Sequence, residues 1–547
     1  MSQSPSVAQG VASASSLPPL PGKTTDLGAI ATPKVFWTPL VFTLALGLLS
    51  FVPRIHGNAT LKATFWSAAA LLLAGQSALF FAIRRSASVG STVGFGATRS
   101  MQIVLKAQHY VQALCQIAVY LYWGYFWPPI FDHGWLIVAQ IVFAYAFDML
   151  LSWSRRATYV LGFGVFPIIL STNLFLWFKD DWFYMQFLLI AVGFIGKEFV
   201  RWNRGGKSVH IFNPSAFSLG LFSLVLLATG TTQLTWAPEI ATTLTFAPYI
   251  YSYLFVVGLV VMYFFSITPT AATAAAVLFG WSAVYMAFTG VPYFVDSEIP
   301  IAVFLGLHLL ISDPSTSPRT PIGRTIFGAL YGVGVFSLYG LLSYLDAPTL
   351  YDKLLCVPIL NLLVIGIDRI TVRNRKPVVA LHSKWIWLTR NAVHMTIWIV
   401  FFAAMTALGK TDGRHIGDRV PFWQQACRDN KANACARLLN LEASYCGDNS
   451  AWACNELGTH YAEGRLIVAD RERSRAFYSK ACELRFPAAC TNLLHPEEII
   501  HAAPHLLDLR LLLREGGLNL TQLSEADLYI RACDHGWTFA CNTGGAR

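Results

Sequence analysis

Two short polar segments combine the residue types that bind anions. Each joins an Asx-Pro-Ser triplet to several cations, and each lies between long apolar segments. A residue before proline is pushed out of the helical region and proline favours the first helical position, so each triplet predicts a helix end followed by a new helix. The free N–H groups and positive end of such a helix suit an anion such as phosphate. The residues concerned are Arg204, Gly205, Gly206, Lys207, His210, Phe212, Asn213, Pro214 and Ser215 in the first segment, and Asp313, Pro314, Ser315, Thr316, Ser317, Arg319 and Arg324 in the second.

The cations of these segments also allow an ordinary explanation. Cytoplasmic loops of membrane proteins are basic in any case, and proline commonly begins a helix. Pro-interrupted segments at matching places in two halves, however, indicate a midplane binding site in transporter-like folds. We therefore expect the two segments to form one ligand site, in which Arg204, Lys207, Arg319 and Arg324 attract phosphate groups.

The elements that position these residues are expected to be membrane helices. Only 13% of the 547 residues are charged, whereas about 25% is usual in soluble proteins. Apolar runs of roughly 17 or more residues recur through the first three quarters of the chain. We predict an all-α bundle of about 13 spans. The spans lie near 35–53, 61–83, 110–128, 134–152, 158–177, 183–200, 214–230, 246–266, 270–288, 299–312, 325–345, 353–368 and 388–408.

The placement of positive charge predicts the orientation of this bundle. Loops on one side carry about twenty Lys and Arg residues, and loops on the other carry only four, which is a strong positive-inside signal. The formal charge of +10 therefore does not indicate a nucleic-acid partner. We predict a multi-pass protein of the bacterial inner membrane with a cytoplasmic N-terminus. Its parts are a disordered tail (1–34) rich in Ser, Pro and Ala, a membrane domain in the lipid bilayer (35–409) and a periplasmic domain (410–547).

Eight of the ten cysteines lie after residue 420, in four pairs with the single spacing C-x7-C. On one continuous helix the two cysteines of a pair would stand roughly 12 Å apart, too far for a disulfide. A turn between two antiparallel helices would bring them together, whereas a metal site would need shorter spacings or histidine partners. We predict four disulfides, which require an oxidising compartment. The pairs are Cys427–Cys435, Cys446–Cys454, Cys482–Cys490 and Cys533–Cys541.

The same region resembles Sel1-like repeats, which are relatives of the tetratricopeptide repeat. The resemblance rests on an L-G-x-x-Y-x-x-G run at 457–464 and an A-F-Y-S-K-A run at 476–481. The second and third cysteine pairs are offset by 36 residues (482 − 446), a plausible repeat length. The resemblance implies a disulfide-stapled α-solenoid whose concave face binds a periplasmic protein. A stapled domain without a partner is the alternative.

Both polar segments also resemble the signatures of one family of membrane redox subunits. G-K-E-F-V-R-W-N-R-G-G-K-S-V-H-I-F-N-P-S-A-F (196–217) and I-S-D-P-S-T-S-P-R-T-P-I-G-R-T-I-F-G (311–328) are similar to its two motifs in spacing and order. The family comprises the B subunit of the sodium-pumping NADH:quinone oxidoreductase and the D subunit of the Rnf complex. The resemblance covers roughly residues 100–375. A membrane protein of enediyne antibiotic clusters shares parts of both motifs.

The resemblance implies a urea-transporter-like fold of two related halves that binds FMN or riboflavin and works beside other membrane redox subunits. In the family, FMN is joined to a threonine in an S-G-A-T motif. That motif is not found between the two segments of this chain. Thr242, in E-I-A-T-T-L, is the nearest equivalent, and Thr270 and Thr273 remain alternatives.

Three functions follow as hypotheses. The first is a flavin-binding, electron-carrying subunit of a larger assembly, not an enzyme acting alone. The second is a transporter or channel for a small polar solute or anion that uses the same segments without a cofactor. The third is a membrane scaffold that anchors the repeat domain.

Overall fold

The computed structural model describes residues 24–30, 33–88, 99–204, 206–295, 297–373, 384–412, 415–513 and 523–543. Helices account for 74% of it and strands for 5%. The chain is therefore mostly helical, as expected, but it is not all-α.

The strands form two small sheets. β1 (Thr24–Ile30) pairs antiparallel with β2 (Ser100–Lys106), which pairs in parallel with β3 (Thr158–Leu161). β4 (Arg201–Arg204) and β5 (Lys207–His210) form a hairpin. The prediction of a disordered tail is thus wrong for residues 24–30, because their backbone groups pair with the edge of β2. Residues 1–23 and 31–32 of the predicted tail lie outside the described residues.

Fifteen helices precede residue 408 in the part of the chain that the structure describes. They are α1 (Thr38–Leu49), α2 (Pro53–His56), α3 (Ala59–Ser88), α4 (Ala107–Phe126), α5 (Pro129–Arg155), α6 (Val165–Asn173), α7 (Tyr184–Phe199), α8 (Pro214–Thr229), α9 (Ala237–Thr243), α10 (Ile250–Phe265), α11 (Thr268–Thr289), α12 (Ile301–Leu309), α13 (Pro321–Tyr344), α14 (Asp352–Arg373) and α15 (Lys384–Ala407). Each of the 13 predicted spans falls on one of these helices.

Fewer of these helices are long enough to cross a membrane alone. Five described segments have the length and composition of a span, and a sixth is reached if Ala237–Phe246 and Ile250–Phe265, bent by 102°, cross together. The five are Ala59–Arg85, Pro129–Arg155, Thr268–Thr289, Pro321–Tyr344 and Thr349–Thr371. Hydropathy therefore located the apolar segments correctly, but many of the helices in them are shorter than the predicted membrane spans.

Two of the short helices, α6 and α12, lie inside the bundle. Each has nine residues, and nine residues rise about 13.5 Å, less than half of a hydrocarbon core of ~30 Å. Both are followed by non-helical backbone. The ring of Phe175, just after α6, lies 3.9 Å from where a Cβ would stand on Gly306 of α12. The segment that follows α6 therefore contacts the middle of α12.

The half-helices α6 and α12 run in opposite directions. Two contacts at different heights give the direction of each pair of helices. Helix α4 contacts α6 through His109 with Gly164 and Tyr120 with Leu170, and α10 contacts α12 through Tyr251 with Ile299 and Gly258 with His308. Helix α4 contacts α10 through Tyr122 with Pro248 and Ala118 with Tyr253. The first two pairs of helices are parallel and the third is antiparallel. Hence α6 and α12 are antiparallel, one entering from each end of the bundle.

Helices α11 and α13 pack unusually closely. A Cβ on Gly328 of α13 would stand 2.2 Å from the carbonyl oxygen of Thr270, and one on Gly332 would stand 3.0 Å from that of Ala274. Small residues four apart allow such backbone contact between membrane helices. This packing fixes the start of α11 against α13.

Eight helices follow residue 415 in the described residues, each packed mainly on its neighbours in the chain. They are α16 (Val420–Arg428), α17 (Ala434–Gly447), α18 (Ala451–Glu463), α19 (Arg471–Glu483), α20 (Pro487–Leu494), α21 (Leu506–Leu512), α22 (Glu525–Asp534) and α23 (Thr538–Thr543). Trp423, Tyr445 and Trp452 are buried in their common core.

All four predicted disulfides are confirmed, and each joins the end of one helix to the start of the next. The same turn explains the constant spacing. The residue three positions after the first cysteine has a positive φ, and its N–H bonds back to the carbonyl of that cysteine, as at a helix C-terminus with a left-handed cap. These residues are Asn430, Asn449, Arg485 and Gly536.

The C-terminal helices are docked on one end of the bundle, which we call the repeat end. The buried carboxylate of Glu298 accepts a hydrogen bond from Lys410 at 2.6 Å and one from Ser282 at 3.4 Å, and the imidazole of His415 lies 3.8 Å away. Val291 of the bundle is packed into the core of the C-terminal helices. The docking thus combines a buried ion pair with apolar contact.

Candidate functional site

The two predicted segments meet at the end of the bundle opposite the repeat end. The imidazole Nε2 of His210 lies 2.9 Å from the hydroxyl of Ser315, and the Asn213 amide donates to the carbonyl of Leu310 at 3.1 Å. We call residues 201–217 and 310–324 the loop pair, and this end of the bundle the loop end. Residues more than 95 apart in the chain are therefore neighbours, as the sequence predicted.

The Asx-Pro-Ser triplets share one local turn but not one role. In each, the Asx side chain accepts from the N–H and the hydroxyl of the serine two residues later. Asn213 thereby caps α8, which begins at Pro214. After Asp313 the chain forms turns instead, and α13 begins only at Pro321, capped by Thr320. The prediction that Pro314 opens a helix is therefore wrong: Arg204 binds the carbonyls of Ser315 and Ser317, and the hydroxyls of Thr316 and Ser317 bond back to Asp313, which holds this segment as turns.

Arg204 is the centre of the loop pair. Its guanidinium donates to the Asp368 carboxylate of α14 at 2.9 and 2.6 Å, and to the carbonyls of Ser315 and Ser317 at 3.1 and 2.8 Å. Only 8% of its side chain is exposed. Four of the five N–H groups of an arginine are thus used inside the protein. Arg204 holds the two segments together more than it offers charge to a ligand.

Two residues of α14 that sequence reasoning missed complete this arrangement. Asp368 pairs with Arg204 and also accepts from the N–H of Arg319 at 2.9 Å. Asn361 accepts from the N–H of Asn213 at 3.1 Å and donates to the carbonyl of Thr316 at 3.2 Å. The two lie seven residues apart, so they share one face of the helix. Polar residues at that spacing in an apolar span were a usable signal.

The remaining cations of the loop pair are partly engaged. Arg319 donates to the carbonyl of Arg204 at 2.7 Å. Arg324 donates to the carbonyls of Pro318, at 3.1 Å, and of Ser266, where α10 gives way to α11. The loop pair therefore extends to a third helix break, at residues 266–268.

The loop pair and its neighbour α14 combine acidic with basic side chains. Burial alone would raise the pKa of Asp313, but hydrogen bonds with His210 and Ser315 outweigh it and lower that pKa, so the group is a carboxylate at neutral pH. The described part of the loop pair contains four guanidinium groups, those of Arg201, Arg204, Arg319 and Arg324, and one carboxylate, that of Asp313, while Asp368 of α14 adds a second carboxylate. Positive charge is therefore in excess at the loop pair, which favours an anion.

Other predicted site residues are placed as follows. Phe212 stacks on Phe217 at 4.9 Å between ring centres. Gly206 has a φ of +78°, which glycine adopts without strain. Thr316 and Ser317 bond to Asp313. Gly205 and the side chain of Lys207 lie outside the described residues.

The structure does not bring Thr242 to the loop pair. Thr242 lies on α9, is exposed, and donates to the carbonyl of Pro238 at 3.1 Å. Its neighbour Thr243 contacts Trp123, near the end of α4 that points to the repeat end. Thr270 instead lies at the loop end, in the first turn of α11.

No family model, no curated protein and no solved structure matches this chain. The arrangement of residues described above is therefore what bears on function.

Proposed function

We propose that the protein is a flavin-binding membrane subunit that carries electrons within a larger oxidoreductase of the inner membrane. The observation that carries this proposal is the meeting of the two motif segments around Arg204. The motifs resemble those of one flavoprotein family, and a ligand site built from both requires them to be adjacent. The bound FMN or riboflavin would supply the redox chemistry, while the residues of this chain would bind and orient it.

The electrostatics of the loop end support an anionic cofactor. Helices α8, α11 and α13 all begin there, each with a proline in the first turn. Their positive ends add to the excess of guanidinium groups over carboxylates in the loop pair. A phosphate group is favoured by both contributions.

The arrangement in the membrane belongs to the same proposal. The short helices would complete about 13 crossing or dipping segments in two halves, with the loop end in the cytoplasm and the repeat end in the periplasm. The C-terminal helices would form a Sel1-like solenoid that docks a periplasmic protein, and other membrane redox subunits would be neighbours. Four disulfides support the periplasmic side, since they persist in oxidising compartments.

The test is a visible absorption spectrum of the detergent-purified protein, followed by flavin fluorescence in a denaturing gel. Flavin bands lost on denaturation are expected for a noncovalent cofactor. Fluorescence that stays in the gel would mean covalent attachment, and substitution of Thr242, Thr270 and Thr273 in turn would locate it. A protein that stays colourless after incubation with FMN and riboflavin would refute the proposal.

One observation favours a second candidate, a carrier or channel for a small polar solute. The half-helices α6 and α12 enter from opposite ends, and the segment after α6 contacts α12; discontinuous helices form midplane sites in transporters. In that case purified protein in liposomes would pass a polar solute or anion without any cofactor. Liposomes as tight as protein-free ones would dismiss this candidate.

A further inference from the structure

Several buried polar atoms at the loop end have no partner in the described part of the chain: some, such as Trp202 Nε1, lie in the loop pair itself, and three lie at the break between α10 and α11. The hydroxyls of Ser266, Thr268, Thr270 and Ser312 are buried and have no hydrogen-bond partner in the described part of the chain. The side chains of Thr268 and Thr270 are 0% and 1% exposed. Buried hydroxyls normally find a partner, because burying one without a hydrogen bond is costly.

Three of these hydroxyls belong to one helix start. Ser266 has a left-handed backbone (φ +54°) that ends α10, and α11 begins two residues later with Thr268 and Pro269. The residue before α11 is Ile267, which gives the helix no side-chain cap. The first turn of a 22-residue helix therefore carries the positive end of its dipole and two unpartnered hydroxyls.

A cation is already present beside this turn. The guanidinium of Arg324 donates to the carbonyl of Ser266 and through Nε to that of Pro318. A guanidinium has five N–H groups, so further donors remain for a ligand. A metal cation would be repelled there, whereas an anion would meet a guanidinium, hydroxyl donors and a helix N-terminus together.

The start of α11 is also held rigidly. The carbonyl of Thr270 lies against Gly328, where a Cβ would stand only 2.2 Å away. A site on a packed helix start keeps its donors in place before the ligand arrives, which reduces the entropy lost on binding.

We infer that the first turn of α11, Ser266 to Thr270, together with Arg324, is a subsite for a phosphate group. The inference rests on the proposed function in one respect: the phosphate of FMN is the ligand group expected there. The sequence predicted that Arg204, Lys207, Arg319 and Arg324 attract the phosphate. The inference keeps Arg324 of these, because the guanidinium groups of Arg204 and Arg319 bind Asp368 and backbone carbonyls of the loop pair.

The test compares FMN with riboflavin, which lacks the phosphate. Binding to the full-length protein in detergent is followed by quenching of flavin fluorescence. In the wild type, FMN is expected to bind more tightly than riboflavin. Thr268→Val and Thr270→Val keep the side-chain shape and remove one hydroxyl each. Each is expected to weaken FMN roughly tenfold, because a hydrogen bond to a charged group is lost, and to leave riboflavin unchanged.

The matched control is Thr325→Val. This threonine is adjacent to Arg324, is exposed, and donates to the carbonyl of Pro321 on its own helix. It should leave FMN binding unchanged. A measurement without substitutions guards against misfolded variants: inorganic phosphate should compete with FMN and not with riboflavin.

The outcomes separate this inference from the proposed function. If FMN binds and neither valine variant nor phosphate changes its affinity, the subsite is wrong and the flavin proposal stands. If no flavin binds but phosphate raises the melting temperature of the wild type and not of Thr270→Val, the subsite stands and the flavin proposal fails. If neither flavin nor phosphate binds, both are refuted.

Discussion

Arg204→Met would test whether the buried ion pair holds the loop pair together. The side chains of Arg204 and Asp368 are only 8% and 13% exposed. Removing the guanidinium leaves a nearly buried carboxylate without its partner, which costs about 3–5 kcal/mol. The carbonyls of Ser315 and Ser317 also lose a donor, at about 1–3 kcal/mol each when buried. The free energy of unfolding should therefore fall by about 5 kcal/mol or more.

The assay is thermal unfolding of the full-length protein in detergent, followed by tryptophan fluorescence. A domain of 150–250 residues loses about 2–4 °C per kcal/mol, and larger domains lose less. A fall of about 5–10 °C is therefore expected. Arg201→Met is the matched control from the same hairpin. Among the described residues, the Arg201 guanidinium donates to Lys197 and Ser208 near the surface, so its loss should lower the melting temperature by less than about 2 °C.

A double variant sharpens the test. In Arg204→Met with Asp368→Leu both members of the ion pair are removed together, so neither is left as a buried charge without the other, and apolar replacement of a buried ion pair is often close to neutral. The melting temperature of the double variant should therefore be well above the value obtained by adding the decreases of the two single variants. Additive effects, or a single variant that melts like the wild type, would refute the role given to this pair.

Three further predictions concern other parts of the molecule. Gly328→Ala should lower the melting temperature by several degrees more than Gly280→Ala, because a Cβ at 328 meets a backbone carbonyl at 2.2 Å and one at 280 meets nothing within 4 Å. Replacing Cys482 and Cys490 by serine should destabilise the C-terminal helices by about 2.5 kcal/mol in chemical denaturation, the entropy of an open loop of this length; an unchanged midpoint would contradict this. Burial raises the pKa of Glu456 in the folded protein to about 7. The protonated carboxyl therefore contributes to the stability of the fold at pH values below the pKa of an ordinary glutamate, and this contribution is lost as the pH rises through 7. The melting temperature of these helices should fall between pH 5 and 8, and Glu456→Gln should flatten that slope.

Local chemistry was readable from the sequence wherever one short segment decided the structure. The C-x7-C spacing admits a disulfide only across a helix turn, and all four pairs lie across one. The Asn213-Pro214 pair predicted a helix start, and α8 begins there. Nothing but neighbouring residues was needed in either case.

The partners of Arg204 could not be read in the same way. A cation in a glycine-containing segment suits a phosphate as well as a carboxylate, and the choice depends on Asp368, 164 residues later. The break after α6 was hidden for a different reason: residues 158–177 are apolar enough overall to predict a span, although Ser171, Thr172 and Asn173 stand at the end of α6, and hydropathy does not distinguish helix from extended backbone. The strand at 24–30 was missed because its pairing partner is β2, about 75 residues away.

The Glu298 contact changes how the role of the C-terminal helices can be studied. Glu298 precedes α12 by three residues, and beyond the other end of α12 the carbonyl of Leu310 is bound by Asn213. Deleting residues 410–547 would remove Lys410 and leave a buried acid facing the membrane part without its counter-charge. If such a truncated chain lost activity, there would be two explanations: the unpaired Glu298 could have disturbed α12 and the loop pair, or the protein that binds the C-terminal helices could no longer dock. A truncation that also carries Glu298→Gln separates the two, since it removes the domain without stranding the charge.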